Sequence, residues 1–277
     1  MRKKDRDKAC LSVLLIQMAS GEDPLENKQQ MLSELARHSM DDVDLVIVPE
    51  MFNYRMIQSS AVPANLMADT MVWLSDMAKD HGVYVIAGSM IETGGDRYCN
   101  TTWVLDDGGR IVESYRKMHL FDAVVAGVNM GESNRFLAGN APKCVSIYGW
   151  CIGLSICYDI RFPELYRHYF LEQVDAVVIP SSFTYETGAK HWEVLCRARA
   201  IENQCYVVAP NQSGVGARGV RTYGRSLAVD PDGLMLACCD ETGVSSVRVV
   251  LDKGVIATVR SRIPVKKHCR LSNLSLT

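Results

Sequence analysis

The stretch GLSICYDIRFPEL, residues 153–165, passes from an apolar run into a charged turn at Cys157. The apolar half is continuous rather than alternating, which is typical of a strand buried on both faces. Pro163 and Glu164 are residue types favoured in the first turn of a helix. The stretch therefore predicts a strand that ends at a thiol and leads into a helix. Considered alone, such a cysteine is more simply a small buried hydrophobe than a nucleophile.

Similar apolar runs recur along the chain and predict further buried strands, namely SVLLIQM, DLVIVPE, VYVIAGS, TTWVL, CIGLSIC, AVVIP and CYVVAP. Residues 28–38 and 189–202 carry apolar side chains at helical spacing. Turn signals at 106–109, 148–149 and 230–233 join neighbouring runs into hairpins. We therefore expect an α/β fold in which helices cover mixed sheets. The expected buried helix faces consist of Met31, Leu32, Leu35 and Ala36, and of Trp192, Leu195, Ala198 and Ile201.

The composition is that of an ordinary globular protein. Of the 277 residues, 48% are hydrophobic and 22% are charged, and the formal net charge is −2. The chain has no basic field that would bind nucleic acid or an anionic membrane surface. No apolar run approaches the roughly 18 residues that cross a membrane. A small-molecule ligand is therefore favoured over nucleic acid or membrane.

The ten cysteines are scattered through apolar segments and lack the spacing of a disulfide framework or a zinc site. The sequence contains no C-x-x-C pair and no glycine-rich phosphate-binding loop. We therefore expect reduced thiols, a cytoplasmic location and no structural zinc.

The amino terminus, MRKKDRDKACLSVLLIQMAS, superficially resembles a secretory signal. Its leading segment carries two aspartates and its apolar stretch contains Gln17, so it reads equally well as a first buried strand after a tail. We expect a flexible basic tail over residues 1–8 and a single domain over 9–277. That domain includes a C-terminal extension from about residue 252.

Three residues with different reactive groups stand at the ends of predicted strands. Glu50 follows DLVIVP, Lys117 follows IVESYR and Cys157 follows CIGLSI. Because ligands of open α/β sheets gather beyond the strand ends, these side chains could meet in one cleft. An adjacent ammonium lowers the pKa of a thiol, and a carboxylate accepts its proton. Each residue taken singly is more typical of a solvated strand end or of the core, so the hydrolytic interpretation depends on the set.

These segments resemble the three signature motifs of the nitrilase superfamily of carbon–nitrogen hydrolases. The motifs are PEMFNY around Glu50, YRKMHLFD around Lys117 and ICYDIRFPEL around Cys157, and the resemblance extends over about residues 11–265. It implies a four-layer α-β-β-α sandwich with two mixed β-sheets. It also implies a homodimer or higher homo-oligomer, paired through the helices that follow the cysteine strand, and no cofactor.

The resemblance also implies catalytic roles for individual residues. Glu50 resembles the general base, Lys117 the stabiliser of the tetrahedral intermediate, and Cys157 the nucleophile that forms a thioester. Glu132, in GESNR, resembles the second glutamate of the family, which helps to hold the lysine. The backbone N–H of Tyr158 is the implied second donor of the oxyanion hole.

The segment YDIRFPE is similar to the amidase branch of the family. This similarity implies hydrolysis of a small carboxylic amide, an ω-monoamide of a dicarboxylic acid or deaminated glutathione, to the acid and ammonia. A nitrilase or an N-carbamoyl amino acid hydrolase is the alternative within the superfamily. A Cys–His protease that uses His191 and a non-catalytic binding protein are less favoured. Arg225 and Asp232 depart from the pattern of close amidase relatives and leave the exact substrate open.

A substrate with a free carboxylate needs a cationic anchor away from the reacting carbon. Arg161 is a candidate, whereas Arg218 and Arg221 are more typical of solvated surface residues. Asp159 and Arg161 could instead form a buried ion pair that orients the turn, and His119 could support Lys117. Other expected pocket residues are Tyr54, Tyr158, Phe183 and Thr184.

Overall fold

The computed structural model describes residues 7–57, 61–125 and 127–270. The strands are β1 Cys10–Gln17, β2 Leu45–Ile47, β3 Tyr84–Ile86, β4 Met90–Gly94, β5 Arg97–Leu105, β6 Ile111–Arg116, β7 Val124–Val125, β8 Val128–Asn129, β9 Phe136–Leu137, β10 Lys143–Ile147, β11 Trp150–Leu154, β12 Ala176–Val178, β13 Tyr206–Ala209, β14 Leu227–Val229, β15 Met235–Cys238 and β16 Ser245–Asp252. The helices are α1 Pro24–Leu35, α2 Leu66–His81, α3 Pro163–Leu171, α4 Tyr185–Asn203, α5 Lys253–Arg262 and α6 Val265–His268. Short 3-10 turns cover Met40–Asp42, Glu132–Asn134, Cys157–Arg161 and Ala217–Gly219.

Among the described residues, the strands form two mixed sheets and a small antiparallel pair, β7 with β8. The first has the order β16-β1-β2-β3-β5-β4, with β6 and β9 also paired to β5, and the second has the order β10-β11-β12-β13-β14-β15. The central strands β1, β2 and β3 are parallel, and so are β11, β12 and β13. The hairpin turns at 106–109, 148–149 and 230–233 join β5 to β6, β10 to β11 and β14 to β15, which confirms the predicted mixed topology.

The alternation of side chains along β1 explains the layering. Val13 and Leu15 pack with the second sheet, whereas Leu14 and Ile16 pack with helices α1 and α2. On the far side of the second sheet, α4 contributes Trp192 to the core that lies between the sheets and under α3 and α4. The order of layers is therefore helices, sheet, sheet, helices, and the predicted four-layer sandwich is confirmed.

The buried faces of two helices differ from the predicted ones. Leu32 is 38% exposed and Ile201 is 50% exposed, while the polar residues Asn27 and Glu34 are buried in α1. Asn27 satisfies its amide by exchanging hydrogen bonds with the Gly21 backbone, and Glu34 accepts one from a serine hydroxyl of β16. Paired polar groups can therefore occupy core positions that a hydrophobic pattern assigns to leucine.

The ends of the chain are tied to the sandwich. Residues 1–6 of the predicted tail lie outside the described residues, whereas the Lys8 backbone N–H donates to the Tyr148 carbonyl at 3.0 Å and its ammonium pairs with Asp44. The predicted extension begins with α5, which buries Ile256 and Val259. Among the described helices, none is long and apolar enough to cross a membrane.

Candidate active site

Glu50, Lys117, Glu132 and Cys157 line one pocket of about 280 Å³. The Lys117 Nζ lies 3.0 Å from Glu50 Oε1, 2.9 Å from Glu132 Oε2 and 3.1 Å from Glu132 Oε1. These side chains come from the ends of β2, β6 and β11 and from the turn before β9. The pocket thus brings together the four residues singled out as catalytic, which are separated widely in the chain.

The segment around Glu50 is held by backbone contacts. Gln212 donates its side-chain amide to the Glu50 carbonyl at 3.0 Å. Met51, the next residue, has φ 55° and turns the chain sharply after the strand. A Cβ on Gly88 would lie 2.0 Å from the Pro49 carbonyl oxygen, so only glycine lets the end of β3 approach this closely. The carboxylate is therefore presented from rigid backbone.

Cys157 occupies a strained backbone position. Its φ is 47°, in the left-handed region that non-glycine residues adopt at a cost of about 1–2 kcal/mol. Its N–H donates to the Pro180 carbonyl at 2.9 Å, which fixes the residue where β11 gives way to the 3-10 turn. The thiol is 8% exposed and lines the pocket, so the strain accompanies a sulfur that points out of the sheet.

Asp159 organises this turn, but not through Arg161 as predicted. Its buried carboxylate accepts hydrogen bonds from the Tyr115 hydroxyl at 2.7 Å and from the Ile156 backbone N–H at 2.9 Å. It also accepts from the His119 backbone N–H at 3.0 Å, and His119 Nδ1 lies 2.7 Å away. The predicted ion pair is wrong because the carboxylate points inward to neutral donors and to His119. Through His119, the turn bearing Cys157 is connected to the segment after Lys117.

Asn100 joins the two carboxylates and was not predicted. Its Nδ2 donates to Glu50 Oε1 at 2.9 Å and to Glu132 Oε1 at 3.3 Å, and its backbone carbonyl accepts the Lys117 N–H at 2.9 Å. The Phe121 N–H donates to Glu132 Oε2 at 2.6 Å. An asparagine beside the predicted buried run TTWVL is the signal that could have identified it.

The charge states follow from burial and from this network. Burial lowers the pKa of the Lys117 ammonium, but the Glu132 and Glu50 carboxylates outweigh burial and raise that pKa well above its usual value. Burial, and then the Glu50 carboxylate, raise the pKa of the Cys157 thiol well above its usual value, against the opposing effects of Lys117 and of the Ser182 backbone N–H. Lys117 acts in the predicted direction and lowers the thiol pKa, but desolvation outweighs it. Burial and the neighbouring Glu50 carboxylate therefore favour the protonated form of the sulfur.

A second, narrower cleft also reaches Cys157. Tyr158, Arg161, Phe183 and Thr184, all predicted pocket residues, line this cleft together with Phe121, Ser182 and Thr187. The Arg161 guanidinium lies 5.2 Å from the centre of the Phe183 ring and contacts His191 Nδ1 at 3.3 Å. Cys157, Phe121 and Ser182 therefore border both the small cleft and the large pocket.

Other predicted residues lie elsewhere. Tyr54 packs in a small apolar cluster, and its hydroxyl donates to the Ala61 carbonyl at 2.9 Å. His191 lies on the exposed side of α4 and lines neither cavity. Arg225 and Asp232 line neither cavity, whereas Arg218 lines the large pocket. The two departures from the family pattern are thus outside the linings of both cavities that reach Cys157.

The chain matches the family model described as carbon-nitrogen hydrolase over residues 13–260. It is 40% identical over 210 residues to a deaminated glutathione amidase of Dictyostelium discoideum, which covers 73% of this chain and 71% of the relative. It is 30% identical over 272 residues to the omega-amidase NIT3 of Saccharomyces cerevisiae, covering 94% and 93% of the two chains. The crystal structure of S. cerevisiae Nit3, a member of branch 10 of the nitrilase superfamily, has a TM-score of 0.82 at 27% identity and covers 96% of this chain and 100% of that chain. The predicted family is confirmed: this chain belongs to the carbon–nitrogen hydrolase family, within the nitrilase superfamily.

Proposed function

We propose that this protein is an amidase that hydrolyses a small carboxylic amide, an ω-monoamide of a dicarboxylic acid or deaminated glutathione, through a thioester on Cys157. The observation that carries the proposal is the buried cluster of Lys117 with Glu50 and Glu132 in the pocket that Cys157 lines. The names of the two amidase relatives support the choice of an amide over a nitrile or a carbamoyl substrate.

The first half-reaction transfers the acyl group to sulfur. The Cys157 thiol gives its proton to Glu50 while sulfur attacks the amide carbonyl carbon. The Lys117 ammonium and the Tyr158 backbone N–H stabilise the resulting oxyanion. Glu50 then returns the proton to the amide nitrogen, the C–N bond breaks, and ammonia or an amine leaves. A thiol that is protonated at rest suits this cycle, because its proton is the one the leaving group receives.

The second half-reaction consumes one water molecule. Glu50 accepts a proton from the water molecule while the water oxygen attacks the thioester carbon. The C–S bond then breaks, and the sulfur takes the proton back from Glu50. The products are a carboxylic acid and the regenerated thiol. Glu132 contacts Lys117 through both of its oxygens and keeps the ammonium in place during both steps. Lys117 in turn balances the negative charge of the two glutamates.

We assign the acyl carboxylate of the substrate to Arg161 in the small cleft. This guanidinium follows Cys157 by four residues and lies in the cleft that reaches the sulfur. Its neighbours in that cleft are the ring of Phe183 and the hydroxyl-bearing Thr184 and Thr187, and the cleft, of about 20 Å³, has room for a terminal group rather than for a whole acyl chain. Arg–carboxylate pairs are frequently bidentate, which would hold the scissile carbon in one orientation.

The test is product release over a panel of succinamate, α-ketoglutaramate, deaminated glutathione, simple nitriles and N-carbamoyl amino acids. We expect acid formation from one or more of the amides, with a transient acyl adduct on Cys157 visible by intact mass. Cys157→Ser should abolish both signals. Turnover restricted to nitriles or carbamoyl amino acids would contradict the amidase assignment, and no turnover together with no adduct would favour a binding protein.

We also propose that the protein is at least a homodimer and is cytoplasmic. Helix α4 exposes Val194 at 66% and Ile201 at 50%, and Leu234 is exposed at 64%. Exposed apolar side chains of this kind are suited to pairing with a second copy. All ten cysteines are free, which agrees with a reducing compartment. Light scattering should give a dimer or larger species, and Val194→Arg should shift it toward the monomer; a monomeric wild type would contradict the assignment.

A further inference from the structure

The segment that follows β12 lies beside the nucleophile. The Cys157 N–H donates to the Pro180 carbonyl at 2.9 Å, so this segment and the turn that bears the cysteine are joined. Two residues further on, the Ser182 backbone N–H is hydrogen-bonded to the Cys157 sulfur. Ser182 also borders both cavities that reach the sulfur. Because a hydrogen-bond donor favours the charged form of its acceptor, this N–H favours the thiolate.

Arg55 contacts the side chain of the same serine. Its Nη2 donates to the Ser182 hydroxyl at 3.2 Å, and its Nη1 donates to the Ser20 carbonyl at 3.3 Å and to the Ser213 carbonyl at 3.2 Å. One guanidinium thus joins three segments that are far apart in the chain. Its N–H groups lie in a rigid plane, so these bonds also fix the direction from which Ser182 is held.

The surroundings of Arg55 leave it little freedom to move. Only 3% of the residue is exposed to solvent. Its backbone N–H donates to the Gly21 carbonyl at 2.9 Å. A Cβ on Gly216 would lie 2.4 Å from Nη2, so the backbone of the next loop packs directly on the guanidinium. Arg55 is therefore fixed at its backbone and at the end of its side chain.

Arg55 also contributes to the charge balance of the large pocket. Glu50 and Glu132 together carry two negative charges, and the Lys117 ammonium that contacts both offsets one of them. Burial lowers the pKa of Arg55 to about 10, and the attraction of Glu50 partly offsets this effect. Arg55 therefore remains a cation at neutral pH. Since it lines the same pocket, it supplies the second positive charge.

We propose that Arg55 is a positioning residue for the nucleophile, which holds the Ser182 backbone N–H on the Cys157 sulfur and balances the second carboxylate charge of the pocket. The N–H stabilises the sulfur as it attacks the amide and again as it leaves the thioester. Arg55 acts on the sulfur through Ser182, so its role concerns the chemical steps and not the choice of substrate. The expected effect on turnover rests on the proposed amidase function, whereas the effect on the sulfur is measurable without a substrate.

The first test is the rate at which iodoacetamide alkylates Cys157 at pH 8, followed by peptide mapping. Because the thiolate is the reacting form, Arg55→Leu should slow alkylation about 3- to 10-fold. Leucine is shorter than arginine and widens access to the sulfur, so a slower reaction reports ionisation rather than entry of the reagent. Arg55→Lys should slow alkylation less, because it keeps the charge without the planar fork. Ser182→Ala keeps the N–H but loses the hydroxyl that Arg55 contacts, and it should show part of the same effect.

The second test is steady-state turnover of an amide that wild type hydrolyses. In Arg55→Leu we expect kcat to fall about tenfold or more while KM stays within about threefold of wild type. Arg260→Leu is the matched control, since Arg260 also donates to backbone carbonyls, those of Gln204 and Val174, but lies outside both cavities. It should leave both the alkylation rate and kcat at the wild-type values.

Unchanged or faster alkylation in Arg55→Leu and Ser182→Ala would overturn the inference, and so would a loss of turnover through KM alone. Equal slowing in Arg260→Leu would also overturn it, because the effect would then be a general loosening of the fold. If Arg55→Leu does not fold, Arg55→Lys and Ser182→Ala decide by the same alkylation rates. A wild type that hydrolyses no amide, together with slower alkylation in Arg55→Leu, would count against the amidase function and not against the role of Arg55.

Discussion

The Lys117 ammonium donates to the Glu50 carboxylate at 3.0 Å in a place where the two side chains are only 2% and 6% exposed. Such a pair is weak evidence for stability, because desolvation of both charges offsets much of their attraction. The position of this ion pair in the pocket that Cys157 lines is better explained by a role in catalysis. The same ammonium also contacts Glu132, so one cation offsets half of the charge of two carboxylates.

Replacement of Lys117 should reduce turnover far more than replacement of His191 in α4. In Lys117→Met, two buried carboxylates lose their counter-ion, and we expect at least a 1,000-fold loss of kcat and a loss of about 3–5 kcal/mol in the free energy of unfolding. His191→Asn should retain most of the turnover, because His191 lines neither cavity. Steady-state kinetics and urea unfolding measure both effects. The reverse order of activities would favour a Cys–His protease.

Removal of the Glu50 charge should separate thiol ionisation from turnover. Because burial and Glu50 raise the pKa of Cys157 while Lys117 lowers it, Glu50→Gln should lower the thiol pKa. Alkylation of Cys157 by iodoacetamide should therefore reach half its maximal rate at a lower pH in the variant than in wild type. Amide turnover should nevertheless fall at least 100-fold, since the base is lost. Peptide mapping of the alkylated cysteine across pH 6–10 tests this, and an unchanged or higher midpoint would contradict it.

Asn100 should contribute to the rate of catalysis. Asn100→Leu removes the amide that donates to both Glu50 and Glu132, and it also removes a buried Oδ1 without a hydrogen-bond partner. We expect kcat to fall about 10- to 100-fold, with little loss of stability. Steady-state kinetics and urea unfolding of the variant measure the two effects.

The control for Asn100 is Asn203 in α4, whose Oδ1 is likewise buried without a partner. Asn203→Leu lies outside both cavities and should leave kcat unchanged. An unchanged kcat in Asn100→Leu would show that Asn100 is only a packing residue.

Asp159 and Arg161 should have separable effects. Asp159→Ala removes an acceptor that serves Tyr115 and Ile156 and leaves buried donors unpaired, so we expect a loss of about 3 kcal/mol or more in the free energy of unfolding. Arg161→Leu should change that free energy by about 1 kcal/mol or less, because exposed contacts contribute little. Thermal and urea unfolding of both variants gives the answer. Equal destabilisation by the two variants would support an ion pair between Asp159 and Arg161, which the structure does not contain.

Burial of Cys205 should make stability fall in alkaline solution. Its pKa is raised from 9.0 to about 12, chiefly by burial, so the folded state keeps the proton to higher pH than the unfolded chain. The resulting stability is fully present below about pH 9 and is lost as pH rises toward 12. Between pH 9 and 10, wild type should lose up to about 1.4 kcal/mol more than Cys205→Ala. An equal loss of unfolding free energy in the two proteins between pH 9 and 10 would contradict the raised pKa of Cys205.

Much of the architecture follows from local patterns. Continuous apolar runs identified β1, β2, β3, β11, β12 and β13, and turn residues identified three hairpins, because burial and turn geometry impose short-range rules on the sequence. Strand β16 was missed, since its partner β1 lies more than 200 residues away and its exposed, charged face weakens the pattern. The orientations of Leu32 and Ile201 also depended on neighbours that helical spacing does not specify.

The sequence by itself determined the order of buried strands, the reactive groups that terminate them, and the family motifs around Glu50, Lys117 and Cys157. Only the tertiary structure decided how those groups interact. The pKa of Cys157 rises because segments that are distant in sequence exclude water from around the sulfur. Asp159 forms hydrogen bonds with Tyr115 and His119 because the fold brings those two residues next to it.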